Sequence, residues 1–286
     1  MEENCCVDRF AKPMSGAEFA RLSTFIREHC GIKMPPVKKT MLEARLLKRL
    51  RSLGMGSFRD YCDYVFDSGK GAGEIVPLID SVTTNKTDFF REPAHFQHLL
   101  EAVLPAFAEE PGNGESFSVW SAGCSSGEEP YTLAMVLSDF ASSRPGFRFA
   151  VLGTDISTKV LDKAKLGIYD EDRVQTVPLH LRRNHVTRSK DRSKKLVRIA
   201  PELRAAVRFE RLNLMDEDIS LPGPVDVVFC RNVVIYFERS SQERLLQRLC
   251  RSLKPGGYLF LGHSETVHGF DLPLTRILST VYRKTT

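Results

Sequence analysis

Residues 117–131 read F-S-V-W-S-A-G-C-S-S-G-E-E-P-Y. An apolar run (Phe117, Val119, Trp120) enters a turn of small residues from Ser121 to Gly127, and a helix starts near Pro130. Strand, glycine turn and helix in that order are how a doubly wound α/β sheet offers backbone N–H groups to a ligand. Gly123 and Gly127 permit close backbone approach. Glu128 and Glu129 stand at the helix start, where a carboxylate can complement the helix dipole. The same two acids would repel a pyrophosphate and attract a cation. The loop therefore reads as a site for S-adenosylmethionine, with its ammonium and sulfonium, rather than for NAD or ATP.

A chain of 286 residues fits two domains at roughly 150 residues each. No segment approaches the ~20 consecutive apolar residues of a membrane span. The start, M-E-E-N-C-C-V-D-R-F, lacks the basic and apolar regions of a secretory leader. The cysteines at 5, 6, 30, 62, 124, 230 and 250 form no paired metal spacing, which fits reduced thiols and predicts no metal. Net charge is +5 and unevenly spread. Residues 38–51 hold Lys38, Lys39, Arg45, Lys48, Arg49 and Arg51 against Glu43 alone. Residues 182–198 hold Arg182, Arg183, Arg188, Lys190, Arg192, Lys194, Lys195 and Arg198 against Asp191 alone. Two basic surfaces imply an acidic partner.

The spacing predicts a helical domain over residues 15–90. Ser15 can cap a helix carrying Phe19, Leu22, Phe25 and Ile26. In 38–54, Leu42, Leu46, Leu50 and Leu53 share one arc and Arg45, Lys48, Arg49 and Arg51 the opposite one, with Gly54 and Gly56 as the stop. Such a stripe also describes a solvated face. G-K-G-A-G at 69–73 reads as a turn and 75–81 as a short helix. From residue 94 helices and strands alternate. Helices are expected at 94–108, 130–142, 157–166 and 240–252. Strands are expected at 117–122, 148–154, 207–212 and 225–230, with K-P-G-G (254–257) as a turn before Y-L-F-L-G and a last strand near 275–283. This is the pattern of a mostly parallel sheet with helices on both faces. Residues 168–206 exceed an ordinary crossover; the K-L-V-R-I and A-A-V-R-F pieces predict a small strand-containing insertion.

Ligands bind at the carboxyl ends of parallel strands, and those ends carry polar residues here. Asp155 can accept from ribose hydroxyls or cap the helix at Ser157. Asn213 can read an adenine edge. Arg231 and Asn232 follow V-V-F-C, and Tyr236 lies four residues beyond.

The blocks T-T-N-K-T-D-F-F-R-E, W-S-A-G-C-S-S-G-E-E-P-Y, N-L, F-C-R-N-V-V-I-Y-F and L-K-P-G-G-Y-L-F-L-G-H-S-E, in that order, resemble those of the CheR family of chemotaxis receptor glutamate methyltransferases. The resemblance covers nearly the whole chain. It implies a Rossmann-like S-adenosylmethionine-dependent α/β methyltransferase sheet at 94–286, an all-α receptor-docking domain at 1–82, a linker at 83–93 that contributes to the cofactor site, and a small β-subdomain at 168–206. It implies cofactor contacts for Asn85, Thr87, Arg91, Glu129, Asp155, Asn213, Leu214, Arg231 and Asn232, with Arg91 and Tyr236 nearest the transferred methyl. Arg45, Lys48, Arg49 and Arg51 would face the acidic methylation helices of a chemoreceptor. The insertion grips a receptor peptide in some members; its basic, glycine-poor composition here leaves that use open. S-adenosylhomocysteine would be the product, and the expected state is a cytoplasmic monomer peripheral to receptor arrays, without membrane insertion or nucleic acid.

The chemistry fits these residues. A glutamate acceptor, with an ordinary pKa of about 4.3, is already ionised at neutral pH and needs no general base. Alignment can supply on the order of 7–11 kcal/mol. Two alternatives remain on sequence grounds: a nucleic-acid methyltransferase, against which stand the missing Pro-Pro turn and the lack of interleaved aromatics, and a non-catalytic cofactor-binding adaptor, against which stand Arg91 and Tyr236.

Overall fold

A computed structural model describes residues 12–67, 69–109, 116–219 and 221–285. Cys5 and Cys6, with the stretch read for a leader, lie outside the described residues, as does the Arg192 side chain. The chain divides into two compact units that meet between Thr84 and Asn85.

In the first unit, α1 (Gly16–Cys30) starts in a capping box, Ser15 accepting from the Glu18 N–H and Glu18 from the Ser15 N–H. A short 3-10 turn (Pro36–Lys38) leads into α2 (Lys39–Leu53), followed by α3 (Phe58–Phe66), a 3-10 turn at Lys70–Glu74 and α4 (Ile75–Val82). Leu42, Leu46 and Leu50 are buried with Leu22, Ile26, Phe58 and Tyr61 in one core, as their spacing requires.

The opposite face of α2 differs from the sequence reading. Lys48 and Arg51 are exposed, but Arg45 and Arg49 are half-buried. Arg45 Nη1 donates to the Val82 carbonyl and, at 3.2 Å, to that of Thr83, while Nη2 donates to Thr84 Oγ1 at 3.1 Å. These bonds satisfy carbonyls at the end of α4 that have no intrahelical partner. Arg49 grips the buried Glu74 with Nε and Nη2, the latter at 2.6 Å, and Tyr61 donates to the same carboxylate at 3.0 Å. Glu74 holds the Arg49 guanidinium above its ordinary pKa, mainly by hydrogen bonding. A helical wheel predicts which arc a residue occupies; it cannot show that a neighbouring helix end needs donors there.

The second unit opens with a helical stretch in three parts: α5 (Ala94–His98), a π-helical turn (Leu99–Val103) and α6 (Leu104–Glu109). The sheet elements follow as β1 (Phe117–Ala122), α7 (Glu128–Ser142), β2 (Phe149–Asp155) and α8 (Thr158–Leu166). The insertion contributes β3 (Ile168–Asp170), α9 (Leu179–His185), β4 (Val186–Arg188) and β5 (Leu196–Ile199). Then come α10 (Pro201–Ala206), β6 (Val207–Arg211), β7 (Val225–Cys230), α11 (Arg239–Ser252), β8 (Leu253–Leu261), β9 (Leu274–Leu278) and β10 (Val281–Lys284).

Seven strands form one sheet in the order β6-β2-β1-β7-β8-β10-β9, and three form another in the order β3-β5-β4. β1 runs parallel to β2 (Phe117 opposite Phe149, Ala122 opposite Thr154) and to β7 (Val119 opposite Val227). β10 is antiparallel to both β8 and β9, and the small sheet is antiparallel throughout. The fold is thus the expected Rossmann-like sheet with an inserted β-subdomain. Buried on both faces, β1 and β7 are mostly apolar, broken by Ser118 and Ser121 in β1 and Asp226 in β7. Phe229 stacks on Phe260 at 4.3 Å between ring centroids and faces Phe96 at 5.7 Å.

Three local expectations are revised. Lys254–Gly257 lies within β8, where a register shift between Val225 and Val227 accommodates it; glycine and proline are tolerated at such a bulge. The last strand is two, β9 and β10. A-A-V-R-F is split: its alanines end α10, while its V-R-F begins β6 of the large sheet rather than a strand of the insertion.

Candidate cofactor site

Strand order reverses around β1, with β2 on one side and β7 on the other, so the crevice for a ligand lies at the carboxyl ends of these strands. Beyond β1 the chain turns sharply. Gly123 and Cys124 both donate to the Thr154 carbonyl, at 2.8 and 2.9 Å. Gly123 has φ +78°, and a Cβ there would stand 2.5 Å from Val233 Cγ2. Glycine is needed both for the backbone and to let the loop after β1 approach the loop after β7. Ser125 N donates to Asp155 Oδ2 at 2.8 Å, and Ser125 Oγ donates to the Asn85 carbonyl at 2.9 Å. Asp155 Oδ1 accepts from Ser157 N at 2.9 Å. This carboxylate, 8% exposed, therefore joins the glycine loop to the entry of α8.

The paired acids behave differently from the expectation of a bare anionic socket. Adjacent helical residues point about 100° apart, and each acid meets its own arginine. Glu128 Oε1 accepts from Arg173 Nη2 at 2.8 Å and Oε2 from Ser126 at 2.7 Å. Glu129 Oε2 accepts from Arg231 Nε at 2.7 Å and Oε1 from Ser121 at 2.7 Å. Arg173, from the 3-10 turn Glu171–Val174 of the insertion, also donates to Asp88 Oδ1 at 2.8 Å and to the Thr87 carbonyl at 2.6 Å. Glu128 raises the Arg173 pKa through that hydrogen bond.

Arg231, expected to face the cofactor, is 1% exposed in its side chain. Its guanidinium carbon lies 5.1 Å from the Phe96 ring and 5.6 Å from that of Phe229. Nη1 approaches His95 Nδ1 at 2.9 Å, and His95 Nε2 lies 2.8 Å from Thr280 Oγ1. A guanidinium can only donate, so Nδ1 accepts and Nε2–H donates to the threonine: His95 is a neutral imidazole. Burial first, and then the Arg231 charge, push its pKa down to about 4. Arg231 thus ties β7 to α7 and α5.

Glu92, His95 and His263 bring ligand-type atoms within 4.8 Å of one another, a donor set that zinc could take by residue type. Both ring nitrogens of His95 are already engaged, however, and the Arg231 cation stands 3.6 Å from Glu92 Oε2. The group is a hydrogen-bonding and charge network around Arg231.

Asn232 has φ +58°. Its Nδ2 donates to Glu92 Oε1 at 3.3 Å, and its Oδ1 is buried with no hydrogen-bond partner among the described residues. Tyr236 is half-buried and ends the 3-10 turn Val234–Tyr236. Arg91, half-buried, donates from Nη1 to the Lys86 carbonyl at 3.1 Å. Asn213 closes a local turn: Oδ1 accepts from Met215 N at 3.1 Å and Nδ2 donates to Asp216 at 2.9 Å. Leu214 is buried, and its carbonyl accepts from Arg248 Nη1 at 3.0 Å. Sequence reasoning missed Arg173, Glu92, His95 and Glu265 as members of this constellation. Glu92 and Glu265 stood within the quoted blocks F-F-R-E and L-G-H-S-E, whereas Arg173 lay in an insertion without a motif.

The residues suit an adenosyl ligand. Gly123 puts no side chain between the loops after β1 and β7, Asp155 closes the end of β2, and Asn232 Oδ1, without a partner among the described residues, marks a polar position at the end of β7.

The comparisons agree. Residues 85–282 match the family described as CheR methyltransferase, SAM binding domain, and residues 17–83 match CheR methyltransferase, all-alpha domain. The chain is similar to the chemotaxis protein methyltransferase of Klebsiella aerogenes, at 43% identity over 88% of this chain and 84% of that protein. It is also similar to that of Escherichia coli, at 39% over 94% and 91%, and to that of Borreliella burgdorferi, at 38% over 93% and 94%. A strand-end crevice suited to S-adenosylmethionine and matches across both units lead to one conclusion: the chain belongs to the CheR methyltransferase family.

Proposed function

We propose that this chain transfers the methyl group of S-adenosylmethionine to glutamate side chains of methyl-accepting chemoreceptors, giving methyl esters for chemotactic adaptation. The choice of acceptor is supported by the match of both units to the CheR methyltransferase family and by relatives that are chemotaxis protein methyltransferases. The buried His95, with both ring nitrogens engaged, does not serve as a general base. A hydroxyl acceptor would need a proton removed; a glutamate carboxylate arrives ionised and needs no base.

S-adenosylmethionine supplies an electrophilic methyl group on a positively charged sulfur. Asn85, Thr87, Asp155, Asn213, Leu214 and Asn232 would hold it, while Glu129 and Arg231 fix the wall behind. Arg91 offers a bidentate fork to a carboxylate, and Tyr236 a hydroxyl that can orient the attacking oxygen. Their task is alignment and the exclusion of water, since charge is neutralised along the path.

In this reading residues 1–82 dock the receptor, 83–93 link docking to the cofactor site, 94–286 carry out transfer, and 168–206 are the inserted β-subdomain. Lys48 and Arg51, with the half-buried Arg45 and Arg49, form the basic face toward acidic receptor helices. The chain would act as a cytoplasmic monomer at the periphery of receptor arrays. Among the described residues no helix is long and apolar enough to cross a membrane.

Incubation with labelled S-adenosylmethionine and a receptor cytoplasmic fragment tests the assignment. Base-labile label on the receptor is expected. Stable label on RNA or DNA, or cofactor binding with no transfer to receptor, overturns it.

A further inference from the structure

The block L-G-H-S-E ends in a carboxylate to which methyl transfer assigns no task. Glu265 is buried, 5% exposed, and lies just beyond β8. Its Oε2 accepts from Gly262 N at 2.6 Å and from Asn232 N at 2.9 Å. Its Oε1 accepts from Val233 N at 2.8 Å and from Ile235 N at 3.3 Å. Three of these four donors belong to the turn after β7. That turn holds Asn232 at φ +58°, a conformation that costs an L residue energy unless its surroundings impose it. Gly262 has the matching role on the other side: a Cβ there would fall 2.6 Å from Asn232 Nδ2 and 2.8 Å from Asn232 N.

We propose that Glu265 is a positioning residue for methyl transfer, its buried carboxylate fixing the turn that presents Asn232 and Tyr236 to the crevice. The inference rests on the proposed function for its catalytic readout. Geometry explains why a carboxylate is required. Each oxygen takes two N–H donors, so four backbone donors converge on a group that can only accept when ionised. A glutamine has the same shape but replaces one acceptor oxygen with NH2. Two backbone N–H groups would then face another donor, and the turn would have to move. Tyr236 directly follows Ile235, whose N–H is one of the four, and so moves with it. A 1 Å displacement of an aligning group costs on the order of a hundredfold in rate.

The test uses the full chain with Glu265→Gln, and Gly262→Ala as an independent push on the same turn. Calorimetry gives the Kd for S-adenosylhomocysteine, and steady-state methylation of a receptor fragment gives kcat and KM. For Glu265→Gln we expect kcat to fall on the order of a hundredfold, the Kd to rise roughly tenfold through Asn232, and the receptor KM to stay within about twofold, since docking lies elsewhere. Gly262→Ala should move kcat in the same direction with Glu265 intact. A Glu265→Gln chain that keeps wild-type kcat and Kd overturns the proposal. So does one that fails to fold while Gly262→Ala remains fully active, because the carboxylate then serves stability alone. A wild-type chain that methylates no receptor defeats the proposed function instead; Glu265 is then judged on the S-adenosylhomocysteine Kd of the two variants, which must both weaken.

Discussion

Arg173 reaches from the insertion to Glu128 at the first turn of α7, Nη2 to Oε1, at 2.8 Å. The same guanidinium holds Asp88 and the Thr87 carbonyl. Tyr169 adds a bond to the Ser126 carbonyl at 2.7 Å, and Thr176 one to that of Phe89 at 2.9 Å. Three side chains of the insertion thus fasten the segment entering the second unit against the glycine loop.

Replacing Arg173 by Met would leave the Glu128 charge, 3% exposed, without its cation. Breaking a fully buried pair costs about 3–5 kcal/mol. Arg173 is itself 36% exposed, so a loss of about 2 kcal/mol is expected after allowing for solvent screening. Urea unfolding of Arg173→Met, Glu128→Gln and the double variant checks this. The double variant should recover most of the loss, because no uncompensated charge remains. Equal losses in Arg173→Met and the double variant would exclude the charge argument.

On α2, stability and docking can be separated. Arg49→Met would strand Glu74, which is 3% exposed, and should destabilise the chain by about 2–3 kcal/mol. Lys48→Gln with Arg51→Gln touches exposed positions and should change stability by less than about 0.5 kcal/mol. The second variant should nevertheless raise the KM for receptor at low salt and lose that effect at high salt. Thermal melts and salt-dependent methylation kinetics distinguish the two. An unchanged receptor KM in Lys48→Gln/Arg51→Gln at low salt would remove those two positions from the docking face.

His95 should make folding acid-sensitive. Its folded pKa is about 4, against an ordinary 6.5. Between those values the unfolded chain binds a proton that the folded chain does not, so unfolding gains as pH falls. The stability present above pH 6.5 is lost progressively toward pH 4, a total on the order of 3 kcal/mol. Stability measured from pH 7 to 4 should decline less steeply in His95→Gln. Identical slopes in both proteins would show that this imidazole is not the group responsible.

What the sequence disclosed depended on how local each signal was. The β1–turn–α7 passage was legible because strand period, small residues and helix start are neighbours in the chain. The position of Asp155 at a strand end was legible because it closes an apolar strand; that its carboxylate accepts from Ser125 N, 30 residues earlier, was not. Arg231 was located correctly at a strand end but given the wrong surroundings: that it lies between Phe96 and Phe229 and bonds Glu129 and His95 depends on residues up to 136 positions away. Glu128 and Glu129 looked like a pair because they are adjacent, yet helical geometry sends them to different arginines. K-P-G-G looked like a turn by composition; it forms a bulge inside β8, between Leu253 and Tyr258, which pair with β7 on either side of it.

The placement of β1 between β2 and β7 carries a consequence for biosynthesis. Ser118 in β1 contacts Asp226 in β7 across 108 residues of chain. At a translation speed of about 5–20 residues per second, one apolar edge of the central strand stays open for roughly 5–20 s before its neighbour leaves the ribosome. A nascent chain that stops short of residue 225 therefore carries an unpaired apolar strand edge that is open to aggregation.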